Sequence, residues 1–174
     1  MVSQVEAKGL GNVEYYNAIH HHVGWKGATI SHLNVIAQAK KDNLPYVIII
    51  EDDCVLSPEF MKVVDTIDSQ FPANWDMIYY GANHIEGAPI QMRMNIYRCT
   101  YATSAMCYVV RNTMYDKLLN KVNIDKPHDV YYAEMHKSIN AYCVLPNLAW
   151  QLDSYSDILE RNVQYKKEFE PRWL

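Results

Sequence analysis

Short apolar runs alternate with helical patterns along most of the chain. Val47 to Ile50 are four consecutive aliphatic residues after Pro45, and so short a run favours a strand over a helix. We expect a strand buried on both faces, as in the interior of a mostly parallel sheet. Acidic residues follow directly, and Ser57 with Pro58 suits the start of a helix. The predicted order is therefore buried strand, acidic tip, short loop and helix.

Apolar spacing and turn residues predict the remaining elements. A helix is expected over residues 28–42, because apolar side chains recur there at helical intervals. The other predicted elements are the end of a helix in residues 1–11, strands at 13–19, 75–81, 95–98, 105–110 and 142–145, and helices at 57–70, 112–120 and from 127 onward. The tail from about residue 151 has little rhythm and is expected to be irregular. Together these elements predict an α/β fold.

Composition narrows the class of protein. The 174 residues suit one domain spanning 1–174, and a net charge of −4 gives no footprint for nucleic-acid binding. No apolar run reaches about 18 residues and no signal-peptide pattern opens the chain, so we expect a cytoplasmic protein without a transmembrane segment. The four cysteines form no CxxC pair and are expected to be reduced. Nothing in the pattern predicts an oligomeric state.

Three adjacent acids at the end of the first apolar strand are the main candidate for chemistry. Glu51 and Asp53 are two residues apart, so in extended backbone they point to one side, while Asp52 points to the other. Two carboxylates on one side suit Mg²⁺ or Mn²⁺, which prefer oxygen ligands. A solvated loop whose acids cap backbone amides is the alternative. The position directly after a buried strand favours the metal interpretation, since ligands bind at the carboxyl ends of strands.

Two polar residues near the predicted start of the helix at 28–42 are further candidates. Ser31 and His32 would lie near a helix N-terminus, where backbone amides and the dipole attract anions such as phosphate. A serine or histidine in a first turn is more often structural. The adjacent histidines 20–22 are expected to form an exposed polar loop, because neighbouring side chains diverge.

The order of several short motifs resembles glycosyltransferase family 25, which includes lipooligosaccharide and collagen galactosyltransferases. The matching phrases cover most of residues 9–158. They are GWKGATISH at 24–32, IEDD at 50–53, WDMIYYG at 75–81, the strand 103–110, DVYY at 129–132, PNLAWQ at 146–151 and SDI at 156–158. Members of the family generally begin with a further strand and a basic helix. We therefore expect this N-terminal strand to be missing from the chain.

The resemblance implies a single GT-A type domain with a mixed, mainly parallel sheet flanked by helices. It implies transfer of a hexose, expected to be galactose, from a UDP-sugar to a hydroxyl of a glycan or protein acceptor with inversion, as in lipopolysaccharide biosynthesis. Mn²⁺ or Mg²⁺ is the implied cofactor, held by Glu51 and Asp53. Donor-binding residues would be Asp52, Ser31, His32 and Gly81.

An inverting transfer also needs a base that removes the proton of the acceptor hydroxyl. The resemblance points to Asp129 as this base, with Glu134 in reserve. A helix-capping role for Asp129 is the alternative. Asp157 is either a further ligand or a cap.

Two other functions compete with this hypothesis. A signalling receiver domain also places acids after an aliphatic strand, but it needs a lysine after a later strand, where Arg111 and Asn112 stand here. A glycosyltransferase-like binding or scaffold module would have the same fold but no catalytic turnover. Binding of UDP-sugars together with transfer or hydrolysis would separate these possibilities.

Overall fold

A computed structural model describes residues 9–10, 13–84, 86–156 and 161–163 of the chain. Its centre is a six-stranded sheet. In chain order the strands of this sheet are β1 (Tyr46–Ile50), β3 (Met77–Asn83), β4 (Ile90–Arg93), β5 (Ile96–Arg98), β6 (Thr103–Arg111) and β7 (Ala141–Val144). Their order across the sheet is β1-β6-β3-β7-β5-β4. A smaller two-stranded sheet joins β2 (Cys54–Leu56) to β8 (Ala149–Gln151).

The prediction of a mainly parallel sheet is wrong. In the six-stranded sheet only β3 and β7 run parallel, and the other neighbouring strands pair antiparallel. Apolar runs predict that strands exist, but the runs look alike whether a neighbour is parallel or antiparallel. The direction of each strand depends on connections that the local pattern does not reveal. The α/β class itself is confirmed as a mixed arrangement of sheet and helices.

Helices and the small sheet cover the two faces of the central sheet. The helices are α1 (Gly24–Lys41), α2 (Phe60–Ile67), α3 (Asn112–Lys121) and α4 (His128–Met135), and a 3-10 turn, Asp68–Gln70, extends α2. Side chains of α1, α3 and α4 pack on one face in a cluster that includes Ile36, Tyr79 and Tyr108. The other face packs against α2, β2 and β8, with Phe60 and Tyr80 at its centre. All four cysteines are buried and form no disulfide.

Strand β1 differs from its prediction in burial. It pairs only with β6 and lies at an edge of the sheet. Ile49 is buried, whereas Tyr46 is 50% and Ile48 42% exposed. The prediction that the run is buried on both faces is therefore wrong. The β2, β8 and α2 layer leaves these two side chains open, and no count of aliphatic residues in the run could reveal that.

Helix α1 begins four residues before the predicted start. Gly24 and Gly27, which precede the predicted start at residue 28, both lie in the helix. Gly27 is needed there because a Cβ at this position would lie 2.4 Å from the carbonyl oxygen of Ile19. Residues 13–19 form no strand; instead the Ile19 amide donates to Ser31 Oγ at 2.8 Å. The glycine thus permits close packing of an extended segment on the helix.

The region from residue 145 is more regular than expected. The Leu148 amide donates to the Tyr80 carbonyl at 2.8 Å, which brings β8 across the central sheet. In the predicted irregular tail, β9 (Ser154–Ser156) pairs antiparallel with β10 (Arg161–Val163). Asp157 and residues 1–8 lie outside the described residues. Among the helices described, none is both long and apolar enough to cross a lipid bilayer.

Candidate functional site

A tight turn carries the three acids from β1 into β2. The Cys54 amide donates to the Glu51 carbonyl at 3.1 Å, which closes the turn. Asp52 lies at its exposed tip, whereas Glu51 and Asp53 are partly buried. The two outer acids therefore share a side, as expected. The cause is a turn and not the extended backbone assumed in the prediction.

Gln151 links the two partly buried acids. It lies opposite Cys54 in the β2–β8 pair. Its Nε2 is 3.2 Å from Asp53 Oδ2 and 3.3 Å from Glu51 Oε2. A single amide group therefore donates to both carboxylates and holds them on the same side of the turn.

Asp53 has the most unfavourable charge in this group. Its Oδ1 is buried and has no hydrogen-bond partner among the residues that the structure describes. Burial, and then the nearby charges of Glu51 and Asp52, raise the pKa of Asp53 from 3.8 to about 6. A buried carboxylate oxygen beside a second carboxylate is a site that a cation would stabilise. The residues present therefore fit a small divalent ion with oxygen ligands.

His32 approaches Glu51 from the other side. Its Nε2 lies 3.2 Å from Glu51 Oε1, and its Nδ1 lies 2.8 Å from the Tyr108 hydroxyl. Burial raises the pKa of Tyr108 well above its ordinary value, so this hydroxyl keeps its proton and can donate it. Because a carboxylate only accepts, Nε2–H donates to Glu51, and the Tyr108 hydroxyl is the partner of Nδ1. The two oxygens of Glu51 thus point to different partners.

His128 stands beside His32 at the start of α4. Their ring centroids are 4.1 Å apart. The backbone amide of His128 donates to Thr29 Oγ1 at 3.2 Å, and His128 Nδ1 is 3.5 Å from the same oxygen. His128 Nε2 is buried, and no side chain or backbone group in the described part of the chain forms a hydrogen bond with it. Burial, followed by the nearby His32, holds the pKa of His128 well below its ordinary value, so the ring is neutral.

Asp129 follows His128 and is bound by backbone amides. Its Oδ2 accepts from the Ser104 amide at 3.0 Å, and its Oδ1 accepts from the Val130 amide at 2.9 Å. Ser104 has a φ of +69°, a left-handed conformation that is uncommon for residues other than glycine. Asp129 therefore helps to hold the first residues of β6 in this conformation. Glu134, the reserve base, is exposed and accepts a hydrogen bond from Lys126 Nζ at 2.6 Å.

Two of the predicted donor-binding residues have structural contacts. The Ser31 hydroxyl donates to the Gly27 carbonyl at 2.8 Å and accepts from the Ile19 amide. Gly81 is buried, and a Cβ there would lie 2.4 Å from the Ala149 carbonyl oxygen. Its lack of a side chain thus allows β8 to pack on the sheet. Because α1 begins at Gly24, Ser31 and His32 lie two turns inside it, and the prediction that places them at a helix N-terminus is wrong.

The structure thus brings together Glu51, Asp53 and His32 from the predicted site. It adds two residues that sequence reasoning missed, His128 and Gln151. Both lie in motifs that carried the resemblance or adjoin one, at 146–151 and just before 129–132. Their motifs were visible, but their chemical role depends on tertiary contacts with Glu51 and His32.

Comparison with known proteins identifies the family. Among solved structures, the crystal structure of A197 from STIV has a TM-score of 0.44 with 12% identity, covering 73% of this chain and 68% of that one. No curated protein matches. A family model described as glycosyltransferase family 25 (LPS biosynthesis protein) matches residues 22–132, which is more than half of the chain and contains Glu51, Asp53, His32 and His128. The chain therefore belongs to glycosyltransferase family 25.

Proposed function

We propose that this chain is a metal-dependent, inverting glycosyltransferase with a GT-A type domain. Its donor would be a UDP-hexose, with galactose as the expected sugar, and its acceptor a hydroxyl of a glycan or glycosylated protein. Family membership supports glycosyl transfer as the activity. The single observation that carries the metal dependence is Asp53, whose buried Oδ1 has no partner and lies beside a second acid.

Glu51 and Asp53 are the residues that would hold Mn²⁺ or Mg²⁺. Both ions prefer carboxylate oxygens and keep open positions for phosphate oxygens. When bound, the ion would neutralise the negative charge that develops on the departing nucleoside diphosphate. Gln151 would keep the two carboxylates on one side of the turn, because its amide is within hydrogen-bonding distance of both.

The remaining roles are assigned to residues around this turn. Asp52 is exposed at the tip of the turn, where its carboxylate would accept a hydrogen bond from a hydroxyl of the UDP-sugar. His32 would orient Glu51 through the contact between Nε2 and Oε1. Asp129 would act as the base. Each of its oxygens accepts one backbone hydrogen bond, which leaves another lone pair on each for the acceptor's proton.

Binding and turnover are tested separately. UDP or UDP-galactose with Mn²⁺ should raise the melting temperature of the wild type, because a ligand that binds only the folded state stabilises it. Asp53→Asn should abolish this shift and keep the fold. Asp65→Asn changes an exposed acid on α2 and is the matched control. Release of UDP in the presence of acceptor would establish transfer, and the absence of any nucleotide-dependent shift in the wild type would refute the proposal.

A binding module without turnover is the second candidate. It is favoured by the two backbone amides that already donate to Asp129, since such contacts are also those of a carboxylate with a purely structural role. This candidate predicts a Mn²⁺-dependent shift with UDP-sugars and no release of UDP with any acceptor or with water. A screen of nucleotide-sugars for Mn²⁺-dependent hydrolysis separates it from the transferase.

A further inference from the structure

A second group of potential metal ligands lies next to the acidic turn and differs from it in chemistry. His32 of α1, Glu51 after β1 and His128 of α4 come from three separate elements. One ligand atom from each lies within 4.8 Å of those from the other two. Two imidazoles and one carboxylate form a ligand set that suits zinc and other divalent transition metals better than magnesium.

The hydrogen bonds of Thr29 indicate the tautomer of His128. The Thr29 hydroxyl donates its only proton to the Trp25 carbonyl at 2.8 Å. Its oxygen can therefore only accept from the imidazole, so the proton of the neutral His128 ring belongs on Nδ1, which faces Thr29 at 3.5 Å. Nε2 of His128 then carries a lone pair. This is the nitrogen that is buried without a hydrogen-bond partner among the described residues.

A purely structural explanation leaves this lone pair unaccounted for. The contact between His32 Nε2 and Glu51 Oε1, at 3.2 Å, is complete as a hydrogen bond between these two side chains. It does not involve Nε2 of His128, although that residue is only 6% exposed. A buried polar atom without a partner is unfavourable, and a bound metal ion would supply the missing interaction.

The contacts behind the two rings are those expected of metal-binding histidines. Such residues usually donate the proton of their second ring nitrogen to an oxygen atom. His128 has Thr29 Oγ1 in this position, and His32 has the Tyr108 hydroxyl at 2.8 Å from Nδ1. Binding through His32 Nε2 requires the proton of this nitrogen to move to Nδ1 and the Tyr108 hydroxyl to rotate, so that the Tyr108 oxygen accepts from Nδ1.

We propose that His32, Glu51 and His128 form a binding site for a divalent transition metal such as Zn²⁺ or Co²⁺. With three protein ligands the site keeps a position open, as catalytic metal sites do and structural ones do not. It goes beyond the proposed function but shares Glu51 with it, Oε1 facing His32 and Oε2 facing Gln151. It requires no nucleotide.

The test uses the metal-stripped full chain and Co²⁺ or Zn²⁺ alone, without nucleotide. Equilibrium dialysis should show one tightly bound ion per chain. Bound Co²⁺ should give the intense visible bands of a four- or five-coordinate site. His128→Gln and Glu51→Gln should each weaken binding by at least about tenfold, since even loss of an outer contact costs that much.

The exposed histidines supply the matched control. His20 and His22 are exposed and are the obvious adventitious ligands for these metals. The double variant His20→Gln/His22→Gln should keep the affinity and the Co²⁺ spectrum. Loss of binding in that variant, or unchanged binding in His128→Gln, would overturn the proposal. If His128→Gln does not fold, the Co²⁺ affinity of Glu51→Gln and the wild-type Co²⁺ spectrum test the proposal. Weak bands typical of six-coordinate Co²⁺ in the wild type would contradict the site.

Asp53→Asn separates this inference from the proposed function. It should abolish the Mn²⁺-dependent response to UDP and leave Co²⁺ binding unchanged. Co²⁺ binding without any response to UDP would refute the transferase and keep the site. A response to UDP without Co²⁺ binding would refute the transition-metal site and keep the transferase.

Discussion

The side-chain amide of Gln151 lies 3.2 Å from Asp53 Oδ2, although the two residues are 98 positions apart in the chain. This contact exists because β8 pairs with β2 and places Gln151 opposite Cys54. It satisfies one oxygen of Asp53 and leaves Oδ1 buried without a partner. Hydrogen bonding within the described residues therefore stabilises only one of the two oxygens of Asp53. The divalent ion proposed above would stabilise the other oxygen.

The stability of the protein should depend on pH through Asp53. Its folded-state pKa is raised from 3.8 to about 6, so the folded chain holds this proton more tightly than the unfolded chain. The resulting stabilisation is fully present below pH 3.8 and is lost as the pH rises through 6. Because the side chain is partly screened by solvent, we expect a loss of about 1 kcal/mol.

Asp53→Asn should remove this pH dependence. Without divalent ions, the variant should be more stable than the wild type above pH 6, as measured by urea unfolding across the range. Asp65→Asn, on the exposed surface of α2, should follow the wild type. A wild type that gains stability relative to Asp53→Asn between pH 3.8 and 6 would show that Asp53 is well compensated.

The hydroxyl of Tyr108 should contribute to stability through His32. Tyr108→Phe removes the partner of His32 Nδ1 and leaves a buried ring nitrogen unpaired. We expect a loss of about 1–3 kcal/mol in the free energy of unfolding. Tyr115→Phe is the control, because the buried Tyr115 hydroxyl has no partner to lose and its removal should be neutral or stabilising. Equal losses in both variants would mean that the His32 contact contributes nothing.

Gly81→Ala should destabilise the fold and not specifically weaken donor binding. The new Cβ would lie 2.4 Å from the Ala149 carbonyl oxygen in β8, and overpacking of this kind costs about 1–3 kcal/mol. Gly27→Ala has the same 2.4 Å contact, but with Ile19 in an extended segment outside any strand. Alanine also favours a helix by about 1 kcal/mol relative to glycine.

Thermal unfolding should therefore show a larger loss for Gly81→Ala than for Gly27→Ala. A normal melting temperature for Gly81→Ala, combined with weakened UDP binding, would instead support the prediction that Gly81 binds the donor. Such a result would also require β8 to shift away from β3.

Asp129→Asn should separate catalysis from binding. The substitution keeps the size of the side chain but removes the charge, so UDP affinity should persist and transfer should be lost. Glu134→Gln is the control, since Glu134 is exposed and bound by Lys126. Loss of UDP affinity in Asp129→Asn would instead assign this residue to positioning Ser104, whose amide it binds. Normal transfer would exclude it as the base.

Local patterns predicted the elements better than their arrangement. The apolar run at Val47–Ile50 and the helix start at Asn112 were readable, because both depend on neighbouring residues. The direction of the strands and the exposure of Ile48 were not, because they depend on which distant segment covers each face. The start of α1 at Gly24 was not readable for the same reason, because Gly27 admits a segment that packs from outside the helix.

The residues of the site also fall into those that the local sequence predicts and those that depend on tertiary contacts. Glu51 and Asp53 were predicted because acids directly after an apolar strand are conspicuous in any sequence. His128 and Gln151 were missed because their importance lies in contacts with Glu51, His32 and Asp53. An imidazole at a helix start is ordinary until the fold places a second imidazole 4.1 Å away.

The three side chains of the proposed transition-metal site come from widely separated parts of the chain, with His32 before Glu51 and His128 far after it. During translation a nascent chain that ends before α4 already contains the acidic turn but lacks the imidazole of His128. Such a chain cannot assemble this set of three ligands. Metal capture at the proposed site would therefore come late in biosynthesis, once α4 has packed beside α1.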